Sequence, residues 1–438
     1  MPILPTDARS QWDDRLLDDP RVTHLWDEAG TAGQWFADPD NLGLRYPGPV
    51  VWDAFFLFDR RARWDGTPSH LVGSGWTVIG STDKLEAALA PLLAAGDSPA
   101  PASATPGPAT PPGEAGAIVA AGLANPRGLA FGPDGTVSVA LAGQPGPNAG
   151  VAAVEGGCPV VVAGGLPAYR IVFGGVTGVA DAAYQNGRLY ALLSGGDIDR
   201  GGRPNGLYRI EDDGGATLVA DVSTFIRDHP VAERPRDYDT DGQPYAMLPM
   251  GDAFWVTEGN SNQVLRLGLD GTVTRVADLS RGNPIPTGIA PAPDGRAYVA
   301  FFTHGPYEEN AAEVVEVGPD GSVEQVWTGL TLVTGLAVGP DGALYALEMA
   351  TGIDPDDPGS IAPGTGKVVR RTGPDTAEDV VTDLDLPAAM EFGPDGALYV
   401  AGPTFGADEG QGTILRVDLA AGQPIPMPTQ LPPPPSCP

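Results

Sequence analysis

The sequence predicts an all-β fold: a six-bladed β-propeller whose last blade is completed by an N-terminal strand, joined to a small N-terminal α/β unit. Three observations predict it. A strand-rich unit recurs six times over the last three quarters of the 438 residues, and a Gly-Pro-Asp-Gly turn recurs inside that unit. One apolar segment, Ala117–Leu123, stands before the first unit with no sheet of its own.

Gly128, Gly178, Ala246, Gly288, Gly335 and Ala389 mark the same point of successive units, at spacings of 50, 68, 42, 47 and 54 residues. Periods of this size are the mark of propeller blades. Within each unit the apolar stretches are short and bounded by Gly, Pro and Asp, as strands are. The turn Gly132-Pro133-Asp134-Gly135 returns at 318–321, 339–342 and 393–396. Pro presets φ, Asp caps the turn and Gly accepts positive φ, so each copy joins two antiparallel strands. The fourth unit reads as four strands, 288–290, 297–301, 313–317 and 323–328, but the sixth has only three, 390–392, 397–400 and 413–417. Ala117–Leu123 matches the fourth-strand pattern of Val326–Leu330. It is therefore expected to pair with 413–417 and shut the ring, leaving no open sheet edge. Seven blades is the alternative count.

The formal charge of −31 excludes one class of partner. Lysine occurs only at Lys84 and Lys367. A surface this acidic repels phosphate backbones, so no nucleic-acid partner is expected, and the acid reads as a solvated face. No apolar run approaches the roughly 20 residues that span a bilayer. Met1–Ser10 has no basic region followed by an apolar core, so it does not read as a signal peptide. Of the two cysteines, Cys437 could in principle reach Cys158, but a spare thiol is the expectation. A monomer is expected.

Residues 1–94 carry a different pattern, with Trp12, Trp26, Trp35, Trp52, Trp64 and Trp76. Ser10 is placed to cap a helix that Pro20 stops. Segments 49–58 and 71–79 read as strands, and Ser81 or Thr82 as the cap of a helix with Leu85, Ala88, Leu89 and Leu92 on one face. Residues 95–116 form a Pro/Ala/Gly linker that cannot bury apolar area. The propeller occupies 117–422, and 423–438 reads as a disordered, Pro-rich tail.

Several motifs carry a family resemblance. They are Asn125-Pro-Arg-Gly128, Gly175–Tyr184 with Leu189–Leu193, Pro204–Arg209, Phe225–Ala232 running to Asp241-Gly242, Thr365–Arg370 and Pro387–Val400. On these the chain resembles the ScyD/ScyE family of NHL-like propellers over about residues 117–420. The resemblance implies a propeller of no established catalytic activity and members that look exported. It also implies a helical insertion at 222–232, which accounts for the long spacing of 68. The chain departs from the family in its extra N-terminal unit and in lacking a leader. That unit resembles the second half of a thioredoxin-like domain through Asp19–Trp26 and Val51–Phe58, without the cysteine pair that dithiol chemistry needs.

In a propeller, the residues leading into each inner strand and those leaving each second strand share one mouth of the central channel. The first set is Arg127, Thr177, Tyr245, Thr287 and Thr334; the second is Glu258, Asn260, His304 and Glu348. A concave mouth with a few polar groups is the default ligand site, so a small molecule or a protein is the expected partner there. The simpler expectation is that the threonines only hydrogen-bond neighbouring blades. Glu258, Asn260 and Glu348 offer oxygens suited to a hard cation, as a metal-dependent, lactonase-like hydrolase of the gluconolactonase type would need. A quinoprotein-like sugar dehydrogenase needs a histidine base, and of four histidines only His304 lies near the mouth. Asp237-Tyr-Asp239-Thr-Asp241-Gly242 follows the first half of a Ca²⁺ loop, the cofactor such a loop would take. Its twelfth position is Leu248 and not the bidentate Glu, and an Asp-Gly turn is the simpler reading. Asp354, Asp356 and Asp357 form a similar acidic loop. With no catalytic residue assigned, the sequence reads as a binding or scaffold module, and the hydrolase or oxidoreductase as the alternative.

Overall fold

The structure is a computed structural model. It describes residues 31–42, 50–51, 54–58, 62, 64–65, 67–68, 70–76, 84–85, 88–89, 116–171, 175–305, 307–352, 361–408, 410–419, 424–427 and 437. The helix expected after Ser10, the linker up to residue 115 and the acidic loop Asp354–Asp357 lie outside these residues. The chain divides into two compact units, Met1–Pro106 with Tyr169–Gly174 and Gly107–Ala168 with Gly175–Pro438.

In the first unit, strands Ala54–Phe58 and Leu71–Trp76 pair antiparallel. Helix Thr31–Ala37 sits beside them, with Phe36 stacked on Phe56 at 4.3 Å between ring centroids.

The second unit is a six-bladed propeller. Blade 1 runs Pro126–Phe131, Val137–Leu141, Gly146–Glu155 and Cys158–Arg170, with Val176–Thr177 added at its outer edge. Blade 2 is Val179–Gln185, Arg188–Leu193, Gly206–Ile210 and Ala216–Asp221; blade 3 is Pro244–Met250, Ala253–Glu258, Gln263–Gly268 and Val273–Asp278. Blade 4 is Pro286–Ala292, Arg296–Phe301, Ala312–Val317 and Val323–Leu330; blade 5 is Val333–Val338, Leu344–Glu348, Gly366–Arg371 and Ala377–Leu384. Blade 6 is Ala389–Phe392, Leu398–Gly402, Gly412–Val417 and, from the N-terminal side, Gly116–Leu123. Each inner strand touches the next, and the sixth touches the first.

The ring closes as the repeat predicts: Thr413 faces Ala121, Ile414 faces Ala120 and Val417 faces Gly116 across an antiparallel ladder. Apolar side chains fill each gap between blades. Between blades 6 and 1 these are Ala120, Leu123, Leu129, Val139, Tyr399 and Ile414, with the Phe131 and Tyr399 rings edge to face. The register glycines allow this closeness: a β-carbon on Gly288 would stand 2.7 Å from Leu336 N of the following blade.

The expected insertion is helix Val222–Asp228, capped by the Asp221 carboxylate, which accepts the Thr224 N–H. Two features depart from the sequence reading. Within the stretch expected to be a disordered tail, Ile425–Pro426 adds a parallel strand to the outer edge of blade 5. Cys158 and Cys437, expected as spare thiols, form a disulfide. The two are 279 residues apart in the chain, and propeller closure brings the ends together.

Candidate functional site

The residues leading into the inner strands divide into two groups. The threonines are consumed by the ring itself. Thr287 donates its hydroxyl to Val333 O of the next blade at 2.6 Å, Thr334 to Pro387 O of the next at 3.3 Å, and Thr177 to Ser194 O at 3.0 Å. Arg127 and Tyr245 behave differently, although Thr287 and Thr334 stand at the same kind of bulge: pairing skips from Pro126 to Leu129, from Pro244 to Ala246, from Pro286 to Ile289 and from Val333 to Gly335. Arg127 donates to Thr404 O of blade 6 at 2.9 Å and to Val176 O at 2.7 Å. Burial holds its pKa below the ordinary range, against the opposing pull of Tyr245 and Asp408. Tyr245 is pushed up to about 12 by burial, with Arg127 opposing.

Beneath them on the inner strands lie two carboxyl groups that the sequence reading did not single out. Asp181, on blade 2, sits where a β-carbon on Gly128 of blade 1 would overlap its Oδ1. Its Oδ2 accepts the Met247 N–H of blade 3 at 2.7 Å, and its Oδ1 accepts the Ala182 N–H at 2.8 Å. One side chain that touches three consecutive inner strands must lie on the channel side of the sheet. Desolvation pushes its pKa up to about 8, against the two backbone N–H groups that favour the charged form and with the help of Glu391. Glu391, half-buried on the inner strand of blade 6, is pushed up to about 7, again by desolvation. The Phe392 N–H opposes that rise, and Glu391 adds a smaller push to Asp181; such perturbed groups gather at functional sites.

The residues leaving the second strands do not converge on the axis. Glu258 is fully buried and turns back onto its own loop. Its Oε1 accepts the N–H groups of Gln243 (2.7 Å) and Asn260 (3.0 Å), and its Oε2 accepts the Ser261 N–H at 2.9 Å and the Ser261 hydroxyl. Glu348, at the same point of blade 5, accepts the Thr331 N–H at 2.9 Å and pairs with Lys367 at 3.5 Å. Burial raises its pKa although Lys367 pulls the other way. Both glutamates tie a loop to a strand end. His304 is exposed, with Nδ1 3.2 Å from Asn283 O.

The loop Asp237–Gly242 is also turned inward. Asp239 Oδ1 accepts the Asp241 N–H at 2.9 Å, the carboxylate of Asp241 accepts the Ile198 N–H at 3.2 Å, and Asn260 holds the loop through Asp239 N and Asp237 O. Burial raises the Asp241 pKa, with the Ile198 N–H opposing. Among the described residues no group of three or more His, Cys, Asp or Glu side chains is placed to hold a metal ion. Asp237, Asp239 and Asp241 are thus not gathered into such a group. No helix among the described residues is long and apolar enough to cross a membrane.

No protein-family model matches the sequence. No curated protein matches it. The chain is similar to several solved structures. One is a gluconolactonase, XC5397 from Xanthomonas campestris, at 17% identity over 69% of this chain and 89% of that one, TM-score 0.46. Another is the calcium-binding protein regucalcin from Agrobacterium tumefaciens, at 16% identity over 70% and 94%, TM-score 0.47. A third is the PQQ-bound aldose sugar dehydrogenase of Streptomyces coelicolor, at 14% identity over 70% and 100%, TM-score 0.44.

Proposed function

We propose that the propeller takes a small, polar, carbonyl-bearing molecule into its central channel and hydrolyses it in the manner of a lactonase. The observation that carries the reading is the pair of channel carboxyls, Asp181 and Glu391, with pKa values pushed up to about 8 and about 7. Groups that titrate near the working pH make the best general acids and bases. At neutral pH Asp181 stays protonated and donates a hydrogen bond to the substrate carbonyl. Glu391, closer to half ionised, draws the proton from the attacking water and returns it to the ring oxygen as the acyl C–O bond breaks. Arg127 and Tyr245, at the strand starts above, bind the oxygens of the substrate.

A second reading has an observation of its own. Both Asp181 oxygens already accept backbone N–H groups, from blades 2 and 3, as a structural peg's would. On that reading the protein is a binding or scaffold module, in keeping with the ScyD/ScyE resemblance.

Proton release from a panel of aldonolactones, with and without added Ca²⁺, separates the two. The hydrolase reading expects turnover by the wild type and a loss of about 100-fold or more in Glu391→Gln, with melting not lowered. Wild-type rates equal to buffer across the panel would remove it and leave the binding module.

A further inference from the structure

The C-terminal tail meets three blades around the seam where the ring shuts. Ile425–Pro426 lies on the outer strand of blade 5, and the Met427 N–H donates to Thr382 O there at 3.0 Å. The Met427 side chain is buried and reaches blade 6, its Cε 3.1 Å from where a β-carbon on Gly116 would stand. Gly116 begins the strand that closes the ring. Cys437 then bonds to Cys158, which begins the outer strand of blade 1.

We propose that this tail is an oxidation-dependent clasp: the Cys158–Cys437 disulfide is a second, covalent closure of the propeller that keeps the strand 116–123 zipped onto blade 6, and the protein acts in an oxidising compartment. The hydrogen-bonded closure alone is reversible, because the closing strand can fray at the ladder's end. With the disulfide in place, blade 1 stays tethered beside blade 6, so re-pairing is intramolecular and its effective concentration stays high. The clasp forms by exchange with a protein disulfide oxidant. One cysteine thiolate attacks the oxidant's S–S bond and displaces one of its sulfurs as a thiolate. The second cysteine thiolate attacks the resulting mixed disulfide. The oxidant leaves as a dithiol carrying the two electrons, and the two thiol protons end on its sulfurs. Disulfides of this kind persist outside the reducing cytosol. Cys437 is exposed, which leaves the bond open to reductant.

The test uses the full chain, prepared from an oxidising compartment. Alkylation and mass measurement count free thiols before and after dithiothreitol, and hydrogen exchange follows amides 117–121 against amides 254–257 of blade 3. The clasp predicts no free thiol before reduction and two after. It predicts exchange at 117–121 faster by about tenfold or more on reduction, with 254–257 unchanged. Cys437→Ser, which replaces an exposed residue, should reproduce the fast exchange without reductant. Two free thiols in the starting protein, or exchange at 117–121 that ignores full reduction, would overturn the proposal.

Discussion

The threonines that lead into the inner strands and the carboxyls further along them share a scaffold and differ in what they have left to offer. Thr287 and Thr334 give their hydroxyls to carbonyls of the next blade, so their chemistry is spent on holding the ring. Asp181 and Glu391, on inner strands of the same ring, have pKa values pushed up by burial to about 8 and about 7, so they are not spent on holding the ring in the same way. A ring of similar strands therefore builds its frame from what repeats and carries its perturbed acids where the repeat is broken.

The largest effect is expected away from the axis. Glu258→Ala strips the acceptor from three backbone N–H groups and one hydroxyl in a fully buried site. It should cost about 3–5 kcal/mol, read from denaturant melting. Gly288→Val should cost over about 2 kcal/mol, since its β-carbon would stand 2.7 Å from Leu336 N. Unchanged melting of that variant would break the blade register. Thr287→Val should cost about 1 kcal/mol and leave any channel activity intact. An equal loss of activity would put the threonine among the functional groups.

A pH dependence is also expected, and its sign separates the two groups. Asp181 and Glu391 have folded pKa values of about 8 and about 7, above ordinary values of 3.8 and 4.5. Between those limits the folded chain binds more protons than the unfolded one. The stability they lend is complete below about pH 4 and is lost as pH rises through about 7 to 8. The melting temperature should fall over that range, and Asp181→Asn should flatten the fall. Thr287→Val should leave its slope untouched.

The frame was legible because repetition announces itself: six units, the shared Gly-Pro-Asp-Gly turn and the orphan strand 117–123 together dictate the closure observed. The channel acids were hidden by two effects. A bulge between Val179 and Asp181 shifts the alternation of blade 2, so a period-two reading misplaces Asp181. In Met390-Glu391-Phe392 the alternation is regular, but it cannot tell a face turned to the channel from one turned to bulk water. Glu258 and Glu348 were legible in position and not in direction, because what captures their oxygens is the N–H groups of irregular loops. The disulfide was illegible because its halves are 279 residues apart.

The seam of blade 6 also sets an order of events during synthesis. Gly116–Leu123 leaves the ribosome before the other strands of the propeller and waits for Gly412–Val417, its partner in blade 6. Until then the nascent chain carries two unpaired strand edges, the kind of surface that recruits aggregation. The ring therefore shuts only once the third strand of blade 6 has been made, and closure belongs to the whole propeller and to no single blade.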